Sequence, residues 1–345
     1  MDRIFKVAAV DASHGHIFGL LREAINCPLA QVVGFADGEA SNRDRVVRDY
    51  GLSHDQVFSD YRMLADRVKP DVVICCSPNA KHVEYVEDLA PRGVHVLIEK
   101  PFAARLGEVD RMIAAAARHG TYLMCNYPVA WQPSMRRAYD LVQAGTIGRV
   151  FQIALRGGHA GPTGKLPAEE MRKFWWYRPE LGGGVLLDYC CYGAFIASWF
   201  LGKLPRKVMG MAMTIDRPVE ADDNAALLVQ YDDALCMFGA TWTRPAEYGN
   251  PFGPVINGLN GSLSFLSGDD LRLALPGKEV EKIDVSQPMP EGERNGVEYF
   301  LNCIANGRPV GEPVSLKTTR MAQEILEAGL RSVETGRTVE LPVKV

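Results

Sequence analysis

Up to residue 124 the chain alternates short runs of consecutive apolar residues with stretches whose apolar positions recur at helical spacing. The apolar runs fall at 5–10, 32–36, 72–76, 94–98 and 122–125, and the helix-like stretches at 16–24, 41–50, 61–68, 81–90 and 106–117. Val/Ile-rich runs without polar alternation suit strands covered on both faces, as in a parallel sheet with crossover helices. This half therefore predicts a doubly wound α/β domain over 1–125. After a transition at 126–133 and a helix over 134–144, longer alternating segments appear at 150–156, 207–215, 225–231, 235–243, 262–266, 271–275 and 280–285. A helix at 187–201 interrupts them, and helices near 296–306 and 317–335 follow. Over 126–345 this predicts an α+β domain with a large, open, mostly antiparallel sheet, helices covering one face. An open apolar face is usually an oligomer interface, so a homodimer or homotetramer is expected.

Composition narrows the classes. At 345 residues, 47% hydrophobic, 23% charged and net charge -4, the chain has room for two cores and no excess of cations. Nucleic acid and anionic membranes are therefore not expected partners. No run of 18 apolar residues and no signal-like start are present, which predicts a cytoplasmic protein. The eight cysteines include the adjacent pairs Cys75–Cys76 and Cys190–Cys191 in apolar segments, without any Cys-x-x-Cys, so buried thiols are expected. His14 and His16 flank a glycine, but no further ligand lies at metal spacing nearby, and no metal is expected.

The turn after the first strand, Asp11-Ala12-Ser13-His14-Gly15-His16, stands where a dinucleotide fingerprint would be and carries a single glycine. The amides of Ser13 to Ile17 are still expected to face a phosphate, with the Ser13 hydroxyl as a further donor. Asp37 ends the second strand, where an acid accepts hydrogen bonds from ribose hydroxyls and repels a 2'-phosphate. That favours NAD over NADP, with Arg43 softening the preference; Asp37-Gly38 is also a common turn dipeptide. Strand four runs into Ser77, Pro78, Asn79 and His82, where Pro78 stops the strand and Asn79 can cap the next helix. In Val96–Ala103, Lys100 follows directly on a strand, at the edge where open parallel sheets bind ligands. Further on, the glycine turn at 182–184 precedes Asp188 and Tyr192, which share one helix face. A cation, a carboxylate and a phenol could move the proton of a hydroxyl, which is half of a dehydrogenase reaction. The plainer alternatives are a solvated lysine, a helix-capping Asp188 and a core Tyr192.

In this order, Ser-Pro-Asn-x-x-His, Glu-Lys-Pro, then Gly-Gly-Gly with Asp188 four residues before Tyr192, the chain resembles the glucose-fructose oxidoreductase, inositol dehydrogenase and rhizopine-catabolism (Gfo/Idh/MocA) family along essentially its whole length. The resemblance implies a Rossmann domain, a large open sheet, NAD(P), and hydride transfer on a sugar, polyol or glycoside. It implies that Lys100 polarises the reacting hydroxyl or carbonyl, that Pro101 follows a cis bond, and that Asp188 holds the substrate or orients its neighbours. Most members resemble Asp-x-x-x-His here; Tyr192 resembles the branch in which tyrosine is the acid/base, with Lys100 lowering its pKa. The coenzyme set expected from these positions is Ser13, His14, Gly15, His16, Asp37, Ser77, Pro78, Asn79, His82, Glu99, Lys100 and Asn126. Tyr127, Trp131, Arg156, His159 and Trp176 lie in segments expected to face the cleft and suit stacking on or hydrogen-bonding a sugar ring, joining Lys100, Asp188 and Tyr192, with a structural role as the alternative for each of the five. Ala130-Trp131 replaces the family's Arg-Phe, which points to a substrate without a strongly anionic group. Two rivals remain: a non-catalytic nucleotide sensor on the same fold, and a reductase that keeps its coenzyme through turnover.

Overall fold

The computed structural model describes residues 3–164, 166–216, 218–243, 253–267 and 269–344. By its contacts the chain divides into two units. The first comprises Met1–Ala103, Gly107–Pro128 and Pro290–Leu316; the second comprises Ala104–Leu106, Val129–Met289 and Lys317–Val345.

The first unit alternates β1 (Phe5–Val10), α1 (His16–Ile25), β2 (Ala30–Ala36), α2 (Ala40–Tyr50), β3 (Val57–Phe58), α3 (Tyr61–Val68), β4 (Val72–Cys75), α4 (His82–Leu89), β5 (His95–Glu99), α5 (Leu106–His119) and β6 (Leu123–Asn126). The six strands form one parallel sheet in the order β3-β2-β1-β4-β5-β6. Every residue of β4 and β6 is buried, as the unbroken apolar runs require. The strand order reverses between β1 and β4, so the crevice beyond their carboxyl ends is the sheet's natural ligand position. β3 is only two residues long and left no periodic signal.

In the second unit α6 (Pro133–Gln143), β7 (Val150–Gly158), α7 (Ala168–Met171) and α8 (Val185–Leu201) precede β8 (Lys207–Met213), β9 (Asn224–Gln230), β10 (Leu235–Thr241), β11 (Pro254–Gly258), β12 (Gly261–Ser267), β13 (Asp270–Ala274) and β14 (Glu281–Lys282). After α9 (Gly296–Ala305), which belongs to the first unit, α10 (Leu316–Thr335) and β15 (Val339–Glu340) complete the chain. The nine strands run β14-β13-β12-β11-β7-β10-β9-β8-β15; of these pairs only β7–β10 is parallel. Expected strands shrink at their ends, 207–215 to Met213 and 280–285 to two residues, while β11 and β15 were not expected.

α8 is apolar around its whole circumference, so it is a core helix. The stretch 179–201 is long and apolar enough to cross a membrane, but 83% of its most apolar window is buried inside the protein. It packs on the sheet where Gly193 meets Phe238 of β10; a β-carbon there would collide with the ring. On the opposite face the sheet carries exposed apolar side chains, among them Met211, Leu228 and Met237.

The segment 290–316 lies with the first unit, where a single division at 125/126 assigns it to the second. Its helix α9 packs on α1, with Asn295 capping α9 by accepting from Glu298 N. Glu23 of α1 meets the Val297 amide in that first turn, and burial pushes its carboxyl up to about 7. No local pattern in the sequence marks this return of the chain.

Candidate active site

The turn after β1 works without its glycines. Asp11 takes a left-handed backbone, φ 62°, which a glycine would ordinarily supply and which Asp tolerates through local hydrogen bonds. Its carboxylate accepts from Ser13 N at 3.0 Å, from the Ser13 hydroxyl, and from the Tyr85 hydroxyl at 2.9 Å. The neighbouring amides are also engaged: Ala12 N on Asp37 Oδ2 at 2.6 Å, His14 N on Cys76 O at 3.0 Å, His16 N on His14 Nδ1 at 3.1 Å, and Ile17 N on His14 O at 3.2 Å. This corrects the expectation that the amides of Ser13, His14, His16 and Ile17 and the Ser13 hydroxyl are presented to a ligand. Among the described residues, nothing bonds the N–H of Gly15, the N-cap of α1, where an added β-carbon would meet nothing.

Asp37 is buried at the end of β2, its Oδ1 accepting from Glu39 N and Asn42 Nδ2. Arg43 donates to the carbonyls of Asp37 and Gly38 at 2.6 and 2.8 Å, so it braces the turn. Beside it lies a cavity of about 360 Å³ lined by Asp11, Ser13, Asp37, Ser59, Tyr61 and Tyr85 among others.

Ser77, Asn79 and His82 are all buried in the loop after β4. Pro78 precedes a short 3-10 turn, Asn79–Lys81, and Lys81 occupies the N-cap of α4, so Asn79 does not cap that helix. The His82 ring lies between Ser77 O at 3.1 Å and Phe102 O at 3.0 Å. Burial holds its pKa below the usual value, and the neutral ring has one N–H to donate, to one carbonyl or the other, so His82 sits between the two loops as a structural link.

Phe102 follows the expected cis bond between Lys100 and Pro101. Glu99 and Lys100, at 1% and 3% exposure, are charged groups withdrawn from water at the end of β5, so the lysine is not a solvated charge. Glu99 Oε1 is 2.9 Å from His16 Nδ1 and Oε2 is 3.4 Å from Asn126 Nδ2; Asn126 and Tyr127 are buried just beyond. Donor atoms of His14, His16 and Glu99 lie within 4.8 Å of one another, a carboxylate the local sequence could not supply. Nδ1 of His14 already accepts an amide and Nδ1 of His16 is bonded to Glu99, so each ring turns its Nε2 to any ligand.

In the second unit the three glycines before α8 have separate steric causes. Gly182 is left-handed, φ 77°; a β-carbon on Gly183 would strike the carbonyls of Trp175 and Trp176; Gly184, φ 116°, faces the Asp222 carboxylate. Asp222 caps α8: its Oδ2 accepts from Leu186 N at 2.8 Å and its carbonyl from Val185 N at 2.9 Å. Loss of solvent pushes that carboxyl up to about 6. Asp188 is therefore not the cap. It is buried, and its Oδ2 accepts from the indole N–H of Trp242 at 3.0 Å.

One turn along α8, half-buried Tyr192 lies 5.9 Å from the Tyr189 ring, which meets the His159 ring edge-on at 5.4 Å. Gly157 makes room for Tyr189, since a β-carbon would overlap it. Trp176 stacks on Trp175 at 4.0 Å and meets the edge of Trp242 at 6.3 Å. Buried Trp131 lies under the Arg136 guanidinium at 5.3 Å. Arg156 is not part of this group: it faces Gly239 in the row Met211, Ala226, Gly239, Arg156, on the sheet face opposite Phe238 and α8. Trp242, Tyr189 and Asp222 were missed because their partners are distant in sequence.

Residues 16–127 match the Gfo/Idh/MocA family model described as an oxidoreductase family with NAD-binding Rossmann fold, and residues 135–264 match the family's C-terminal domain. The chain belongs to the Gfo/Idh/MocA family. The first match begins at His16, just after the aberrant turn. The chain is 26% identical over 327 residues to D-xylose 1-dehydrogenase (NADP(+)) 2 of Haloferax volcanii, covering 92% of this chain and 94% of that protein. Its fold is similar to that of an aldose-aldose oxidoreductase from Caulobacter crescentus crystallised with glycerol, TM-score 0.83 at 23% identity, covering 98% and 100% of the two chains. A levoglucosan dehydrogenase complexed with NADH and levoglucosan superposes with TM-score 0.80 at 20% identity, over 98% and 100%.

The first unit is thus an NAD(P)-binding Rossmann domain, and its residues fit the coenzyme: an N–H at Gly15 that no described residue bonds, room at that residue, an acid at the end of β2, and a polar cavity beside it.

Proposed function

We propose that this member of the family is a dehydrogenase or reductase acting at a secondary hydroxyl or its carbonyl in an uncharged sugar, polyol or glycoside. The observation that carries the reading is Asp188, buried and oriented by Trp242, on one helix face with Tyr192, with Trp176 edge-on to Trp242 and Tyr189 in ring contact with Tyr192 and His159. Flat aromatic faces with a few fixed polar groups suit a sugar's apolar C–H surface and its hydroxyls. Bound NAD(P) supplies the hydride acceptor or donor. In oxidation the Tyr192 phenolate takes the proton of the reacting hydroxyl; in reduction the phenol returns it. Lys100, a buried cation, polarises that oxygen and stabilises negative charge on it. Asp188 accepts from a substrate hydroxyl and so fixes which carbon reacts. Asp37 favours NAD, because a 2'-phosphate beside a buried carboxylate would be repelled. The enzyme works as a homodimer or homotetramer joined through the open sheet face.

The test is coenzyme reduction with a panel of aldoses, inositols and anhydrosugars, run with NAD+ and NADP+ in parallel. Turnover on at least one uncharged substrate, faster with NAD+, is expected. Tight NADH binding without turnover on any of them would favour the sensor, a reading the engaged amides of the first turn recommend.

A further inference from the structure

We propose that His14 and His16, backed by Glu99, hold the coenzyme's pyrophosphate in place of the missing glycine-turn amides, and that binding therefore takes up a proton at His16. This rests on the coenzyme assignment above and adds a pH dependence to it.

A glycine fingerprint works because it leaves several backbone N–H groups directed at the phosphates from a helix N-terminus. Here the amides of Ala12, Ser13, His14, His16 and Ile17 are bonded within the turn and to its neighbours, leaving that of Gly15. One amide and the end of a helix dipole, about half an elementary charge, face two phosphate charges. In place of the amides the chain sets two imidazoles at the first turn of α1, with centroids 4.1 Å apart.

Their hydrogen bonds fix what each ring can offer. His14 Nδ1 accepts from the His16 amide, so its proton sits on Nε2 and the neutral ring is already a donor. His16 Nδ1 donates to the Glu99 carboxylate, so in the neutral ring Nε2 is a bare lone pair, repulsive to a phosphate oxygen. Protonation turns that nitrogen into a charge-assisted donor, with buried Glu99 as counter-ion on the other side. The His16 side chain is 45% exposed, so a ligand and a proton can both reach it.

Among the described residues, Glu99 of β5 and His14 of the turn meet His16, and Glu23 of α1 is coupled to Glu99. The Glu23 carboxyl, raised to about 7, is pushed up partly by Glu99. Asn126 of β6 is the uncharged partner on Glu99. Glu23 is itself titratable and needs its own control.

The sign is fixed: the protonated ring binds, so affinity is highest at low pH and falls as pH rises. One proton limits the slope to about tenfold per pH unit. NADH affinity measured by fluorescence from about pH 6 to 8.5, with a chelator present, should fall along that slope in the wild type. Calorimetry in two buffers of different ionisation heat should show proton uptake on binding. His16→Gln should bind at least about tenfold more weakly at the acid end and show neither slope nor uptake. Glu23→Gln should keep the slope. A pH-independent wild-type affinity, or an unchanged slope in His16→Gln, would overturn the inference while leaving coenzyme binding intact. Absence of NADH binding at every pH would instead overturn the coenzyme assignment, and this inference with it.

Discussion

A buried cation and a hydrogen-bonded buried carboxylate cost folding free energy unless function or partners compensate, which makes Lys100 and Asp188 informative single residues. If Lys100 polarises the reacting oxygen, Lys100→Ala should lower kcat by at least about 100-fold, the scale of a lost electrostatic contributor. Coenzyme reduction by the purified variant measures it, and near wild-type turnover would remove Lys100 from the reaction. Tyr192→Phe keeps the ring and deletes the proton carrier, so the pH dependence of kcat should flatten along with its loss; an unchanged profile would clear the phenol of that role. Trp242 is a positioning residue, since it touches Asp188 and not the reacting atoms. Trp242→Phe keeps most of the ring and deletes only the donor, worth about 1–2 kcal/mol to a carboxylate. It should raise KM by roughly 5- to 30-fold while kcat changes little, whereas a purely packing role would lower the melting temperature and leave KM alone.

At the scale of elements, the entry into α8 shows how a sequence motif can be recognised before its cause is visible. The three glycines stood out in the chain; the carbonyls of Trp175 and Trp176 and the carboxylate of Asp222 that require them did not, because those partners come from other segments. Gly184→Ala should therefore destabilise the fold by about 2 kcal/mol or more, through strain at φ 116° and collision with Asp222, and a thermal melt would show it. Asp222 carries its own pH signature. Its folded pKa, about 6, lies above the ordinary 3.8, so its contribution is complete below 3.8 and is lost as pH rises through about 6. Asp222→Asn keeps an oxygen for Leu186 N and cannot ionise. It should match the wild type near the ordinary carboxylate range and exceed it at neutral pH by up to about 3 kcal/mol; equal melts at both pH values would contradict the assignment. Strands and helices with a sustained period were legible, β1, β4 and α10 among them. β3 and β15, two residues each, carry no period to read. The first turn misled only in part for the same reason: Cys76 O, which takes the His14 amide, lies far along the chain, while Asp11 and His14 take the amides of Ser13, His16 and Ile17 within the turn itself.

For the whole molecule, the open face of the nine-stranded sheet is the largest feature that the chain itself does not explain. Across it, Met209, Leu228, Met237, Ala154 and Val255 stand opposite one another strand by strand, and Met211 lies in the next row at 70% exposure. The register makes this one apolar band: Leu228 and Met237, 49% and 37% exposed, are direct cross-strand partners. Apolar rows at the centre of a wide sheet are costly to leave in water, and methionines adapt well to a packed partner. A second copy is the partner that needs no other molecule, and twofold contacts pair such a face with itself. A stable interface buries about 800 Å² per partner, which a face of this width can supply. Light scattering behind size exclusion should therefore give a dimer or tetramer at micromolar concentration. Leu228→Glu combined with Met237→Glu sets like charges side by side on each copy and opposite their counterparts, which should shift the protein to monomer without lowering its helix content. Both positions lie on the face opposite α8, so coenzyme binding should survive the change. A wild-type monomer, or a double variant that stays assembled, would place the contact elsewhere.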